Sequence, residues 1–120
     1  MNITRMYTDD KGETHFENTE EKGVDHRDLA HFSRVIEAKG IVFRDTDPLP
    51  SGSSVGEWHN APRRQYILYL SGKTEIEVSD GERRVFKTGD ILLVEDTTGK
   101  GHRNRTIDDQ PKRTAFVRLE

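Results

Sequence analysis

Chemistry concentrates in two stretches of this chain. Residues 52–72 hold Trp58, His59, Arg63, Arg64, Gln65 and Tyr69 among glycines and apolar residues. Residues 89–102 hold Asp90, Glu95, Asp96, Lys100 and His102. The imidazoles of His59 and His102 are the groups suited to proton transfer or metal ligation near neutral pH. Gln65 opens an otherwise apolar run, Gln65–Leu70, where an unpaired amide is costly. It either lines a wet cavity or bonds a backbone group, and the cavity is the preferred reading. Side chains alternate in direction along a strand, so Arg63, Gln65, Ile67 and Tyr69 share a face. On that face Arg63 is a candidate clamp for a carboxylate or phosphate through parallel N–H donors, and Tyr69 a candidate substrate contact. Trp58 offers a ring for ligand stacking or for ordinary packing. Lys100, between Gly99 and Gly101, sits on a loop that could cover a pocket mouth. Glu95 and Asp96 alternate, so at most one points inward, where a carboxylate could act as general acid or base. Glu95, with Arg63, is the catalytic candidate. His15, His26 and His31 read as surface residues of a polar N-terminal stretch.

Strands must position these groups. From residue 40 onward the chain reads as Ile41–Asp45, Val55–His59, Gln65–Leu70, Lys73–Ser79, Glu82–Phe86, Ile91–Glu95, His102–Ile107 and Arg113–Leu119. Between them stand clusters of Gly, Pro, Asn and Asp, the pattern of an antiparallel sandwich or barrel. Asp80-Gly81 is the sharpest turn signal and predicts a two-residue hairpin loop with φ > 0 at both positions. In Lys73–Ser79 the residues Thr74, Ile76 and Val78 form an apolar face against Glu75, Glu77 and Ser79. Gln65–Leu70 is apolar on both faces and is expected at the centre of a sheet. Residues 1–40 read as an irregular N-terminal arm. Within it Ile3–Thr8 and Thr14–Asn18 form a candidate hairpin around Asp9–Gly12, covering a sheet edge or a partner subunit. Residues 41–120 are the barrel.

The two chemical stretches resemble the motifs of the cupin superfamily, small β-barrels of the jelly-roll or double-stranded β-helix type. The family's first motif carries an H-x-H pair, a glutamate and a closing glycine. Here His59 takes the first histidine, Ala61 the second, Gln65 the glutamate and Gly72 the glycine. In the second motif Gly89-Asp90 and the apolar run agree, Glu95 replaces a proline, two residues are inserted, and Gly99 to His102 supplies the G-x2-H step. Thr106 stands in place of the closing asparagine. The resemblance implies a single-domain, all-β barrel with a polar interior, and carries His59, Gln65 and His102 over as metal positions. The implied cofactor is a divalent transition metal (iron, manganese, zinc or nickel), with Glu57, water or a substrate carboxylate completing its shell. Losing one imidazole and the carboxylate weakens such a site strongly. The implied activity is isomerase, lyase or oxygenase chemistry on a small anionic, carboxylate-bearing metabolite. A ligand-binding or sensing barrel without metal or turnover is the alternative.

Composition narrows the classes further. The chain has 120 residues, 19 Lys plus Arg against 22 Asp plus Glu, and no cysteine. That excludes disulfides and thiolate sites. No apolar run approaches the roughly 20 residues that span a bilayer, and the N-terminal residues lack a secretory pattern, so a cytoplasmic location is expected. The charge balance and the interleaving of Arg103, Arg105, Lys112, Arg113 and Arg118 with acids read as solvated faces rather than a nucleic-acid stripe. Hydrophobic residues make up only 31%, so a thin core and a homodimer that covers exposed edges are expected.

Overall fold

The computed structural model describes residues 1–48 and 55–120; Gly52 and the other residues of 49–54 lie outside the described residues. The strands are Asn2–Thr8 (β1), Thr14–Glu20 (β2), Asp25–Arg27 (β3), Ala30–Phe32 (β4), Gly40–Thr46 (β5), Gln65–Ser71 (β6), Lys73–Val78 (β7), Arg83–Lys87 (β8), Ile91–Val94 (β9), His102–Arg105 (β10) and Lys112–Arg118 (β11). The chain is all-β. A six-stranded sheet ordered β2-β1-β9-β6-β11-β5 faces a three-stranded sheet ordered β10-β7-β8. Pairing is antiparallel except between β1 and β9, which run parallel over Thr4–Met6 and Leu92–Val94. No helix among the described residues is long and apolar enough to cross a membrane.

The core lies between the two sheets, where alternation brings one face of each together. Met6, Phe16, Tyr69, Leu92 and Val94 come from the large sheet and Ile76, Val78 and Phe86 from the small one. Phe86 is the joint, its ring 5.5 Å from Tyr69 and 5.7 Å from Phe16. Strand β6 lies between β9 and β11, as its two apolar faces require. The β1–β2 hairpin covers the edge that β9 would otherwise present.

Three local readings change. Asp80-Gly81 does form a turn, but Gly81 alone takes a positive φ, +98°, and among the described residues Asp28 is the one non-glycine that does so. The amide of Val78 donates to the Glu82 carbonyl and that of Gly81 to the Val78 carbonyl. The loop therefore has three residues, a turn of ordinary hand closed by a left-handed glycine. The expected strand Val55–His59 survives only as two bridges to β10, Val55 to Arg105 and His59 to His102. Four steps on one side meet three on the other, so a bulge breaks the ladder. Finally, Asp25–Phe32 folds into the β3–β4 ribbon, whose residues are exposed; no apolar alternation in the sequence announces it. Around this ribbon the chain crosses the outer face of the large sheet, leaving a cavity of about 320 Å³ against Ile3, Tyr66 and Leu68.

Candidate functional site

A cavity of about 490 Å³ opens between the sheets at the end away from Phe86. Its floor comes from alternate residues of β6 (Gln65, Ile67, Tyr69), its flank from alternate residues of β11 and β5, and its rim from His59–Arg63 and β10. The fold brings His59, Arg63, Gln65, Tyr69 and His102 to this one space.

The imidazoles converge. The His59–His102 backbone bridge sets their ring centroids 4.4 Å apart. His59 sits at the exposed mouth, its Nδ1 at 2.9 Å from the Glu57 carbonyl. It is therefore the backbone of Glu57 that positions this ring. His102 is 6% exposed, and its Nδ1 lies 2.5 Å from Oδ2 of Asp96, which is fully buried. A carboxylate beside Nδ1 favours the proton on that nitrogen, and Nε2 has no hydrogen-bond partner among the described residues. The other Asp96 oxygen, Oδ1, is buried without a hydrogen-bond partner among the described residues.

Alternation thus selects Asp96, not Glu95, as the inward carboxylate. Glu95 lies on the opposite face, where Arg5 Nε donates to one of its oxygens at 2.5 Å and Arg64 Nε to the other at 2.7 Å. Burial alone would raise its carboxyl, but these two bonds outweigh it and hold the group below the usual range. It is a structural ion pair outside the cavity. Trp58 also lies outside the cavity lining: Arg103 packs over its ring at 4.7 Å while donating to Glu77. Lys100 is no lid. Its amide donates to the Gly12 carbonyl and its amine pairs with Glu13 at 3.0 Å, and Thr8 holds the Thr98 carbonyl. The loop is tied to the β1–β2 turn.

Tyr69 forms floor more than contact surface, since its ring stacks on Phe86 and burial pushes its hydroxyl well above the usual tyrosine range. Gln65, 6% exposed, makes no side-chain hydrogen bond to another described residue and turns its amide toward the cavity.

The sequence reading missed three cations. Arg44, Lys112 and Arg118 line the cavity with Arg63, and the reading of Lys112 and Arg118 as solvated is corrected. Both have even numbers on β11, as do Thr114 and Phe116, so a face count would have found them. Most basic side chains of this protein pair with acids, but none of these four does among the described residues. Among the described residues no aspartate or glutamate lines the cavity. Burial lowers the Lys112 amine below the usual lysine range, and nearby Arg44 adds to this against the opposing pull of Asp108.

This wall also bears on a metal. Among the described residues no three His, Cys, Asp or Glu side chains gather as a cation site. The inherited positions supply two imidazoles and one neutral amide, inside a wall whose remaining charges are positive. That donor set does not fit a resident divalent transition metal.

No protein-family model and no curated protein matches this sequence. Solved structures do resemble it. Protein NMB1881 from Neisseria meningitidis aligns over 71% of this chain and 79% of its own, at 19% identity and a TM-score of 0.49. The capsular polysaccharide assembling protein CapF from Staphylococcus aureus aligns over 80% of this chain but 28% of its own, at 16% identity and a TM-score of 0.45. FeII HppE, solved in complex with substrate, aligns over 83% of this chain and 63% of its own, at 14% identity and a TM-score of 0.44. The chain thus spans well under a third of CapF and under two thirds of HppE.

Proposed function

We propose that this protein holds a small carboxylate- or phosphate-bearing metabolite between its sheets and moves a proton on it through His102. The observation that carries the reading is the buried Asp96–His102 pair opening on a cavity lined by four cations, none of which has an acid at ion-pair distance among the described residues. Arg63 and Arg118 bind the anion by charge-assisted hydrogen bonds. Asp96 keeps the His102 proton on Nδ1 and stabilises the imidazolium that forms when Nε2 takes a proton from carbon. The same cations stabilise the enolate left behind. This is isomerase, epimerase or lyase chemistry without a metal. The neutral Gln65 amide, in place of an acid, favours a second reading in which the cavity binds its ligand without turnover.

The test is deuterium exchange at carbon, followed by proton NMR in D2O over a panel of hydroxy, keto and sugar acids. Wild type is expected to exchange at least one acid, His102→Asn to lower that rate by about 100-fold or more, and Glu95→Gln to leave it unchanged. Exchange that survives His102→Asn overturns the proposal. Binding without exchange supports the second reading, and stoichiometric metal bound through His59 and His102 would overturn the metal-free chemistry.

A homodimer belongs to the same proposal. Strand β5 is a sheet edge whose Ile41, Val42 and Phe43 are exposed, Phe43 at 73%. A second copy would cover them.

A further inference from the structure

The four cavity cations stand in two groups, not one. Lys112 lies opposite Thr46 and Thr114 opposite Arg44, so Lys112 and Arg44 are diagonal neighbours at one end of β11. Arg118, at the other end, lies opposite Gln65, beside the loop that carries His59 and Arg63. Six residues separate Lys112 from Arg118, roughly 20 Å of strand. Between them the wall is uncharged: Ile67, Ile76, Thr114 and Phe116. The His102 end carries one more sign of an absent partner, because the buried Nε of Arg118 has none among the described residues. The far end is furnished for an anion too, with the hydroxyl residues Thr46, Thr74 and Thr106 around Arg44 and Lys112.

We propose that the cavity takes a ligand anionic at both ends and uncharged between them, with one end at Arg63 and Arg118 beside His102 and the other at Arg44 and Lys112. Dicarboxylic acids and phosphorylated carboxylic acids are the matching classes. The inference rests on the anion pocket proposed above and adds a second anchor to it. A single anionic group would leave the other pair of neighbouring cations without a counter-charge at ion-pair distance among the described residues. The second group supplies that counter-charge and fixes which end meets the imidazole.

The experiment is calorimetric titration of the full chain with linear α,ω-dicarboxylates of increasing length and with monocarboxylates of matched length. Affinity for the diacids is expected to peak at one chain length, and there to exceed that of the matched monoacid by about 10- to 100-fold. Arg44→Met and Lys112→Met should each reduce the diacid to the monoacid's affinity and leave the monoacid unchanged. Arg118→Met should weaken both. If diacids and monoacids bind alike and Arg44→Met alters neither, while Arg118→Met weakens both, the second anchor is refuted and the single-anion pocket stands. If neither class binds the wild type, both proposals fall.

Discussion

Gly101 is where a single methyl should separate the His59–His102 junction from mere turn strain. Its φ is +80°, and an added Cβ would stand 2.7 Å from the carbonyl carbon of His59, closer still to its oxygen and 3.3 Å from the Asn60 amide. Backbone cannot yield as a flexible side chain can, so Gly101→Ala must push β10 away from His59. The left-handed φ costs about 1 kcal/mol for a residue with a Cβ. The two bridge hydrogen bonds, His59 N to His102 O and His102 N to His59 O, both 2.9 Å, add about 1 kcal/mol each when broken. The total is about 3 kcal/mol. Gly81→Ala is the control, since its φ is +98° but nothing lies within 4 Å of the added methyl; it should lose about 1 kcal/mol. For a chain of this length the melting temperatures should fall by about 12 °C and about 4 °C respectively. Calorimetric or fluorescence melting of both variants measures this, with ligand titration alongside. Gly101→Ala should also lose anion binding, and Gly81→Ala should keep it. Equal losses of stability would show that the close approach at His59 contributes nothing, and the account of how the imidazoles are brought together would be wrong.

Two other expectations concern the rest of the molecule. His15 bridges Asp9 and Asp80 at 2.7 Å on each ring nitrogen, and these bonds raise it above its usual value of 6.5, while Asp9 is lowered to about 2. A raised histidine contributes its stability below pH 6.5 and loses it as the pH climbs through the folded value; the lowered aspartate contributes above 3.8 and loses it toward pH 2. Urea midpoints should therefore favour wild type over His15→Gln most between about pH 4 and 6.5, and parallel pH profiles would exclude the bridge. Phe43→Asp, on the exposed β5 edge, should convert a particle of twice the 13.8 kDa chain mass into a monomer in sedimentation; a wild type that sediments as a single chain at micromolar concentration removes the dimer.

Much of the strand layout was legible because it is local. Glycine, proline and aspartate mark where the chain turns, and the alternation of Thr74, Ile76 and Val78 marks which side of β7 is apolar, whatever the rest of the chain does. The convergence of His59 and His102 was an inference from motif resemblance, and it took the bridge over Gly101 to realise it. Local pattern said that Glu95 and Asp96 point opposite ways but not which way is inward, because both faces of the neighbouring strands carry apolar residues. The pairing of β9 between β1 and β6 decided it, turning Asp96 to His102 and Glu95 to Arg5 and Arg64. Likewise Lys112 and Arg118 look like solvated charges in the sequence, and nothing local marks Arg44. They come to line one cavity only when β5 and β11 extend the large sheet beyond the reach of the three-stranded one, leaving a space between the layers that apolar side chains do not fill. Alternation is a property of the strand itself, whereas inside and outside are properties of the packed sheets.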